Sequence, residues 1–249
     1  MIKIFIVSLV NSTRRPVISA LCNKYGVEFE FIDAINGREL PDDFLNKING
    51  YEWTRLKYRR PLGSSEVGCA LSHHKIYKKN DNSECWFVVL EDDVSFDERF
   101  RILINANTGN LDKNSLYLLG GQEGLDSFRY VIFSKFGEIA INQELIFSRT
   151  LCSERFLFRT CCYLIHSSLA SKILYFNSDK IMLADDWYNL SKYKIIRKIY
   201  YIDLVKHPND MDNSLIHSER EKFGKKNNNK ALILLKKTAL KVRTILRYF

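Results

Sequence analysis

The stretch "CWFVVLEDDV", residues 85–94, decides how this chain is read. Five apolar residues, Trp86 to Leu90, run directly into three acids, Glu91, Asp92 and Asp93. An uninterrupted apolar run of this length predicts a strand buried on both faces, as in the parallel sheet of an α/β protein. Ligands of open α/β sheets bind beyond the carboxyl ends of the strands. Three adjacent carboxylates placed there repel one another unless a cation joins them. Hard oxygen donors suit Mg²⁺ or Mn²⁺, ions that usually carry substrate phosphates. The alternative is a solvated turn whose acids cap a following helix.

The flanking segments support the α/β reading. Residues 2–10 predict a strand, and Asn11, Ser12 and Thr13 offer N-caps for a helix that Gly26 would end. "VEFEFIDAI" (27–35) alternates as a second strand and stops at the Asn36-Gly37 turn pair. Strand, helix and strand in about 35 residues make a βαβ unit with a right-handed crossover. Residues 64–80 predict a helix capped by Ser64 or Ser65, with Glu66 in its first turn. Further strands are expected at 115–121, at the start of "TCCYLIHSSLASKILYF" (160–176) before its helix, and in "KIIRKIYYIDLV" (194–205). Residues 38–63 and 122–158 lack sustained periodicity and are expected to be lid or loop insertions.

Composition narrows the class. The chain of 249 residues is long enough for one large domain, and 46% hydrophobic content is that of a globular protein. Six cysteines form no CxxC pair, which favours reduced thiols over a disulfide framework. The first ten residues are interrupted by Lys3 and Ser8 and fit a buried strand better than a signal peptide. No run approaches the roughly 20 apolar residues of a membrane span. The expectation is an intracellular, cytoplasmic protein.

The net charge of +9 resides in one place: residues 222–249 hold nine Lys or Arg and no acid. That tail predicts an amphipathic helix, with Leu232, Leu235, Ala239, Val242, Leu246 and Phe249 on one stripe. Such a helix suits the anionic inner face of a membrane, although packing on the domain or pairing as a dimer uses the same stripe. Residues 1–221 carry no net charge, which argues against a nucleic-acid-binding protein or metal-dependent nuclease. The absence of GxxxxGK[ST] disfavours a P-loop nucleotidase. A nucleotide-sugar transferase remains, with the metal stabilising a departing diphosphate.

With these segments in order, the chain resembles glycosyltransferase family 25, the lipooligosaccharide galactosyltransferases and their collagen-modifying relatives. The resemblance is carried by "IVSLVNSTRR" (6–15), "FEFIDAING" (29–37), "SEVGCALSHHKIY" (65–77), "VVLEDDV" (88–94), "TCCYLI" (160–165), "LADDW" (183–187) and "LVKHPNDMDNSLI" (204–216). It implies a GT-A fold over residues 1–221: a Rossmann-like, mostly parallel sheet flanked by helices, followed by the basic tail 222–249. It also implies a metal-dependent nucleotide-sugar donor, inversion at the anomeric carbon and a lipooligosaccharide acceptor. UDP-galactose is the first donor and UDP-glucose its nearest competitor. Monomer and dimer are both open.

Roles follow residue by residue. Asp93 is the first metal ligand, with Glu91 as second ligand or ribose contact, and Asp92 able to take either job. His207 is a third ligand, although bacterial relatives often have glutamine there. Ser8, Leu9, Arg14 and Arg15, at the first βα turn, face the nucleotide, with Arg15 preferred over Arg14. Ala34 and Gly37 let the second strand's end approach the nucleoside. Ser72 and His73 match the family's Ser-His pair near the donor, whereas His74 shares a helical face with Val67 and Leu71 and packs. Asp185, before Asp186, is the base that takes the acceptor proton; either acid could instead cap the helix that follows. Trp187 either stacks on a sugar or is buried. The segment Arg159–Cys162 reads "RTCC" where relatives usually include glycine.

Overall fold

The computed structural model describes residues 2–79, 84–208, 234–239 and 241–242. A nine-stranded mixed sheet is sandwiched between two helical layers. Its central path is β2 (Glu30–Asp33), β1 (Lys3–Ser8), β3 (Trp86–Glu91), β8 (Cys162–His166), β5 (Leu116–Gly120) and β9 (Ile199–Lys206). Two further strands, β7 (Ile146–Thr150) and β6 (Phe133–Ala140), extend it beyond β9, and the two-residue β4 (Ser95–Phe96) pairs with β9.

The apolar strands are buried on both faces, and their side chains alternate between two cores. Phe5 and Val7 of β1, with Phe87 and Val89 of β3, face one cluster; Ile4 and Ile6, with Val88 and Leu90, face the other. On the first face pack α4 (Ser64–Lys78), α6 (Ser167–Phe176) and α7 (Trp187–Lys192), through Ile76, Leu169, Ile173, Trp187 and Leu190. On the second lie α1 (Arg15–Lys24) and α5 (Glu98–Ile104), through Ile18, Cys22, Phe100 and Leu103.

Strands β1 and β2 are parallel across helix α1, as the βαβ reading requires, and β3 joins β1 in parallel on its other side. The order reverses at β1, so the carboxyl ends of β1 and β3 form a topological switch point. Five of the six central strands share a direction. The exception is β8, antiparallel to both β3 and β5. That reversal has a functional consequence. It places the start of β8, at Cys162, opposite Leu90 near the end of β3.

Several local expectations are corrected. The N-cap of α4 is Gly63, not Ser64 or Ser65. Glu66 reaches back to accept from the Gly63 N–H at 3.0 Å and is buried against the Arg60 guanidinium, which bonds both its oxygens at 2.6 and 2.7 Å. Helix α1 starts from Arg14 with no side-chain cap; Ser12 instead accepts from the Arg14 N–H at 3.2 Å. Residues 38–63 contain two short helices, α2 (Asp42–Gly50) and α3 (Glu52–Tyr58). Ile48 and Leu62 pack there with Val67 in a small separate core. Residues 122–158 contain the β6–β7 pair.

Gly37 has a clear physical cause. A Cβ there would lie 1.9 Å from the Ser64 carbonyl oxygen, and one on Gly68 would lie 2.7 Å from the Gly37 amide nitrogen. The two glycines let the turn after β2 lie directly on α4, and Ser72 ties that turn down by accepting from the Ile35 N–H at 2.8 Å. Gly37 and Ser72 are thus accounted for by helix packing rather than by approach to a ligand. Gly37→Ala is expected to destabilise the fold by about 2 kcal/mol or more, because backbone and not a flexible side chain must move. Thermal unfolding checks this; an unchanged Tm would contradict it.

In the tail, residues 234–239 are helical. Ala239 is buried and Val242 packs against the first core, while Lys236 lies 5.2 Å from the Tyr130 ring centre. Leu234, Lys237 and Lys241 face outward. Leu232, Leu246 and Phe249 lie outside the described residues. Among the described residues, no helix is long and apolar enough to cross a membrane.

Candidate active site

Four chain segments converge at the carboxyl edge of β3. They are the acidic triplet itself, the "RTCC" segment before β8, the end of β9 at His207, and the Asp185-Asp186 turn before α7. The Glu91 N–H donates to the Cys161 carbonyl at 2.9 Å, which joins the first segment to the second, and the Gly121 N–H, just after β5, donates to the Val205 carbonyl near the end of β9 at 2.8 Å. Gly121 adopts φ +71°, and a Cβ there would collide with the Cys161 sulfur.

The three acids have separate surroundings. Glu91 Oε1 accepts from the Thr160 hydroxyl at 2.6 Å, and burial together with the charge of Asp93 pushes its carboxyl up to about 7. Asp92 Oδ2 accepts from the hydroxyls of Ser8 at 2.6 Å and Ser12 at 2.7 Å. It therefore staples the first βα turn to the end of β3, a structural task that also consumes the Ser8 side chain. Asp93 Oδ2 faces Arg14 Nη1 at 3.1 Å and His207 Nε2 at 3.7 Å, while its Oδ1 is buried with no hydrogen-bond partner.

His207 completes the set. Its Nδ1 lies 2.7 Å from the Pro208 carbonyl, which can only accept, so Nδ1 carries the proton and Nε2 turns a lone pair toward Asp93. Burial lowers its pKa, against the opposing pull of the Asp93 charge. One donor atom from each of Glu91, Asp93 and His207 lies within 4.8 Å of the others. Two carboxylates, one of them with a buried orphan oxygen, and one imidazole are a donor set that fits Mn²⁺ or Mg²⁺.

The two arginines exchange their expected parts. Arg15 is held inside the fold: its Nη2 donates to the Ser8 carbonyl at 2.9 Å and to Asp33 Oδ1 at 2.5 Å, and its guanidinium lies over the Phe31 ring. Arg14 is the arginine that faces the carboxylates, 3.6 Å from Asp92 Oδ1 as well as on Asp93. Leu9 and Ala34 line the same turn, half-exposed, with the Ala34 N–H donating to the Ser8 carbonyl at 2.8 Å.

Asp185 and Asp186 are also told apart. Asp186 caps α7: its oxygens accept from the Asn189 side-chain amide at 2.7 and 2.6 Å, and Oδ2 also accepts from the Tyr58 hydroxyl at 2.8 Å. Asp185 Oδ2 accepts from the Arg159 N–H at 3.1 Å, and Asp185 stands close enough for its charge to raise Glu91 further. Arg159 is left-handed at φ +64°, the conformation that favours glycine, and its guanidinium donates to the Gly121 carbonyl at 2.7 Å. Trp187 is fully buried, with Nε1 donating to the Arg159 carbonyl at 3.1 Å, so it packs and does not present a sugar platform.

The histidine pair departs from the helical-wheel reading. His73, 2% exposed, is the more deeply buried of the two; its Nδ1 lies 2.7 Å from the Tyr163 hydroxyl and its Nε2 points at Glu91. His74 is half-buried. Sequence reasoning missed Thr160 and Tyr58, which position Glu91 and Asp186 from segments remote in sequence. "TCC" next to a strand start was the only trace of the first, and nothing marked the second.

Against known proteins, residues 1–188 match the family model described as Glycosyltransferase family 25 (LPS biosynthesis protein), and the chain belongs to that family. A Glycosyltransferase 25 family member of Aedes aegypti is 36% identical over 104 residues, 37% of this chain and 17% of that protein. Procollagen galactosyltransferase 2 of Homo sapiens is 32% identical over 97 residues, 36% of this chain and 15% of the human protein. The chain therefore matches about a sixth of the length of these relatives. Among solved structures, a glycosyltransferase involved in glycosylation of the PBCV-1 major capsid covers 90% of this chain and 99% of its own, with 12% identity and a TM-score of 0.40.

Proposed function

We propose that this chain is an inverting, metal-dependent glycosyltransferase that moves a hexose, galactose from UDP-galactose in the first place, onto a core sugar of lipooligosaccharide. The observation that carries the reading is the convergence of Glu91, Asp93 and His207 with Asp185 on one sheet edge. The family's description as an LPS biosynthesis protein and the galactosyltransferase name of a relative support the acceptor and the donor sugar.

Glu91, Asp93 and His207 would hold Mn²⁺ or Mg²⁺, which supplies charge neutralisation for a departing nucleoside diphosphate. Arg14 stands beside them as a second positive charge for the same phosphates. The switch point at Ser8, Leu9 and Ala34 offers backbone to the nucleoside. Asp185 takes the proton of the acceptor hydroxyl as it attacks, and the Arg159 N–H fixes the orientation of the carboxylate. A single base suffices, because inversion needs one displacement and no covalent intermediate.

A donor screen tests this. With Mn²⁺ and no acceptor, UDP-galactose is expected to be hydrolysed slowly, faster than UDP-glucose, and not at all after EDTA. A preference for UDP-glucose would replace the donor; no metal-dependent turnover of any UDP-sugar would remove the reading.

The tail supports a place on the inner face of the cytoplasmic membrane. Because Ala239 and Val242 face the domain, contact with anionic lipid falls to basic side chains such as the exposed Lys237 and Lys241. Each basic group near such a surface contributes about 1 kcal/mol, screened by salt. Lys237→Glu with Lys241→Glu is expected to weaken binding to phosphatidylserine vesicles at least tenfold at low salt, with donor hydrolysis unchanged. Equal vesicle binding by the double variant would contradict the assignment.

A further inference from the structure

Behind the outer carboxylates lies a second group of metal-type donors, two of which, Cys69 and His73, have no part in the proposed sugar transfer. Cys69 and His73 are four residues apart on α4, so both project from one face toward β3. One donor atom from each of Cys69, His73 and Glu91 lies within 4.8 Å of the others. His73 Nε2 is 3.9 Å from Glu91 Oε1, and the Cys69 sulfur is 4.0 Å from the Thr160 hydroxyl that bonds the same carboxylate.

The independent sign of a ligand is His73 itself. It is 2% exposed, yet its Nε2 is buried without a hydrogen-bond partner. A buried imidazole nitrogen left unsatisfied bears its full desolvation penalty. Glu91 Oε1 does not relieve it, since 3.9 Å is beyond hydrogen-bond reach. Its other nitrogen is engaged by the Tyr163 hydroxyl, which in turn meets Tyr77 at 2.8 Å. Histidines that bind metals have their far nitrogen oriented in this way.

We propose that Cys69, His73 and Glu91 form an inner site for a thiophilic divalent ion, Zn²⁺ by its ligand chemistry, distinct from the outer Glu91–Asp93–His207 set. One thiolate, one imidazole and one carboxylate with a position left open is a donor set zinc accepts and Mg²⁺ does not favour. Binding releases the Cys69 thiol proton to solvent. Cys69 is half-exposed, which gives the ion a way in. Glu91 is common to both sets, so an ion on the inner site takes a carboxylate from the outer one. The inference does not depend on the sugar-transfer reading, because the outer set contains no sulfur.

The test uses the reduced full chain without donor. Titration with Co²⁺ is expected to produce a thiolate-to-metal charge-transfer band that saturates at one equivalent and is lost when Zn²⁺ displaces the cobalt. The band should vanish in Cys69→Ser and persist in Cys161→Ser, Cys152→Ser and Asp93→Ala. In the wild-type chain, Zn²⁺ should also slow alkylation of Cys69 by iodoacetamide at least tenfold, read cysteine by cysteine by mass spectrometry, which needs no variant to fold. No thiolate band at saturating Co²⁺, a band undiminished by Cys69→Ser, or Cys69 alkylation unaffected by Zn²⁺ would each overturn the site.

Discussion

Asp185→Asn is expected to bind donor as the wild type does while turnover falls by about 10²-fold or more. The amide keeps the shape of the carboxylate and its oxygen can still accept from the Arg159 N–H, now 3.1 Å from Oδ2. What it loses is the ability to take a proton from the attacking hydroxyl. The effect should therefore fall on kcat and leave the affinity for UDP in place. Asp186→Asn makes the contrast. Its oxygens accept from Asn189 and Tyr58, so the substitution, which keeps an oxygen for the α7 cap but turns an NH2 toward one of these donors, should cost about 1 kcal/mol of stability and little turnover. Turnover lost in Asp186→Asn and kept in Asp185→Asn would exchange the two roles.

Asp93→Ala is expected to abolish turnover and metal-dependent UDP binding together, in a protein that still folds. Asp93 Oδ1 is buried without a hydrogen bond, and Oδ2 accepts from the half-exposed Arg14 guanidinium, which water can satisfy once the carboxylate is gone. Removing the carboxylate also relieves its repulsion of Glu91, which Asp93 helps to raise toward 7. Stability should therefore hold, and the loss should appear in Mn²⁺ affinity, measured by calorimetry, by 10²-fold or more. Unchanged Mn²⁺ affinity in folded Asp93→Ala would take Asp93 out of the site.

Much of this arrangement was legible in the residues. The continuous apolar runs of β1 and β3 announced strands buried on both faces, and the acids after Leu90 marked the edge where they end. The wheel of α4 was read less well. It placed His74 in the core, but α4 is covered by α6 as well as by the sheet, so its buried arc reaches His73 also. Sequence position places both Arg14 and Arg15 at the first βα turn, with Arg15 preferred. The ring of Phe31 and the Asp33 carboxylate, which capture Arg15, arrive on β2 through a pairing that sequence does not display. The reversal of β8 escaped as well, because an apolar strand buried on both faces looks alike in either direction. Without that reversal, Thr160 would not reach Glu91 and Arg159 would not reach Asp185.

The most direct test is a titration of UDP into the wild-type protein, with Mn²⁺ and then with EDTA, followed by calorimetry. UDP is expected to bind with Mn²⁺ present and to lose at least 10²-fold in affinity once the ion is chelated. Equal affinity in both conditions, or no binding in either, would contradict a site in which Glu91, Asp93 and His207 hold the diphosphate through a metal.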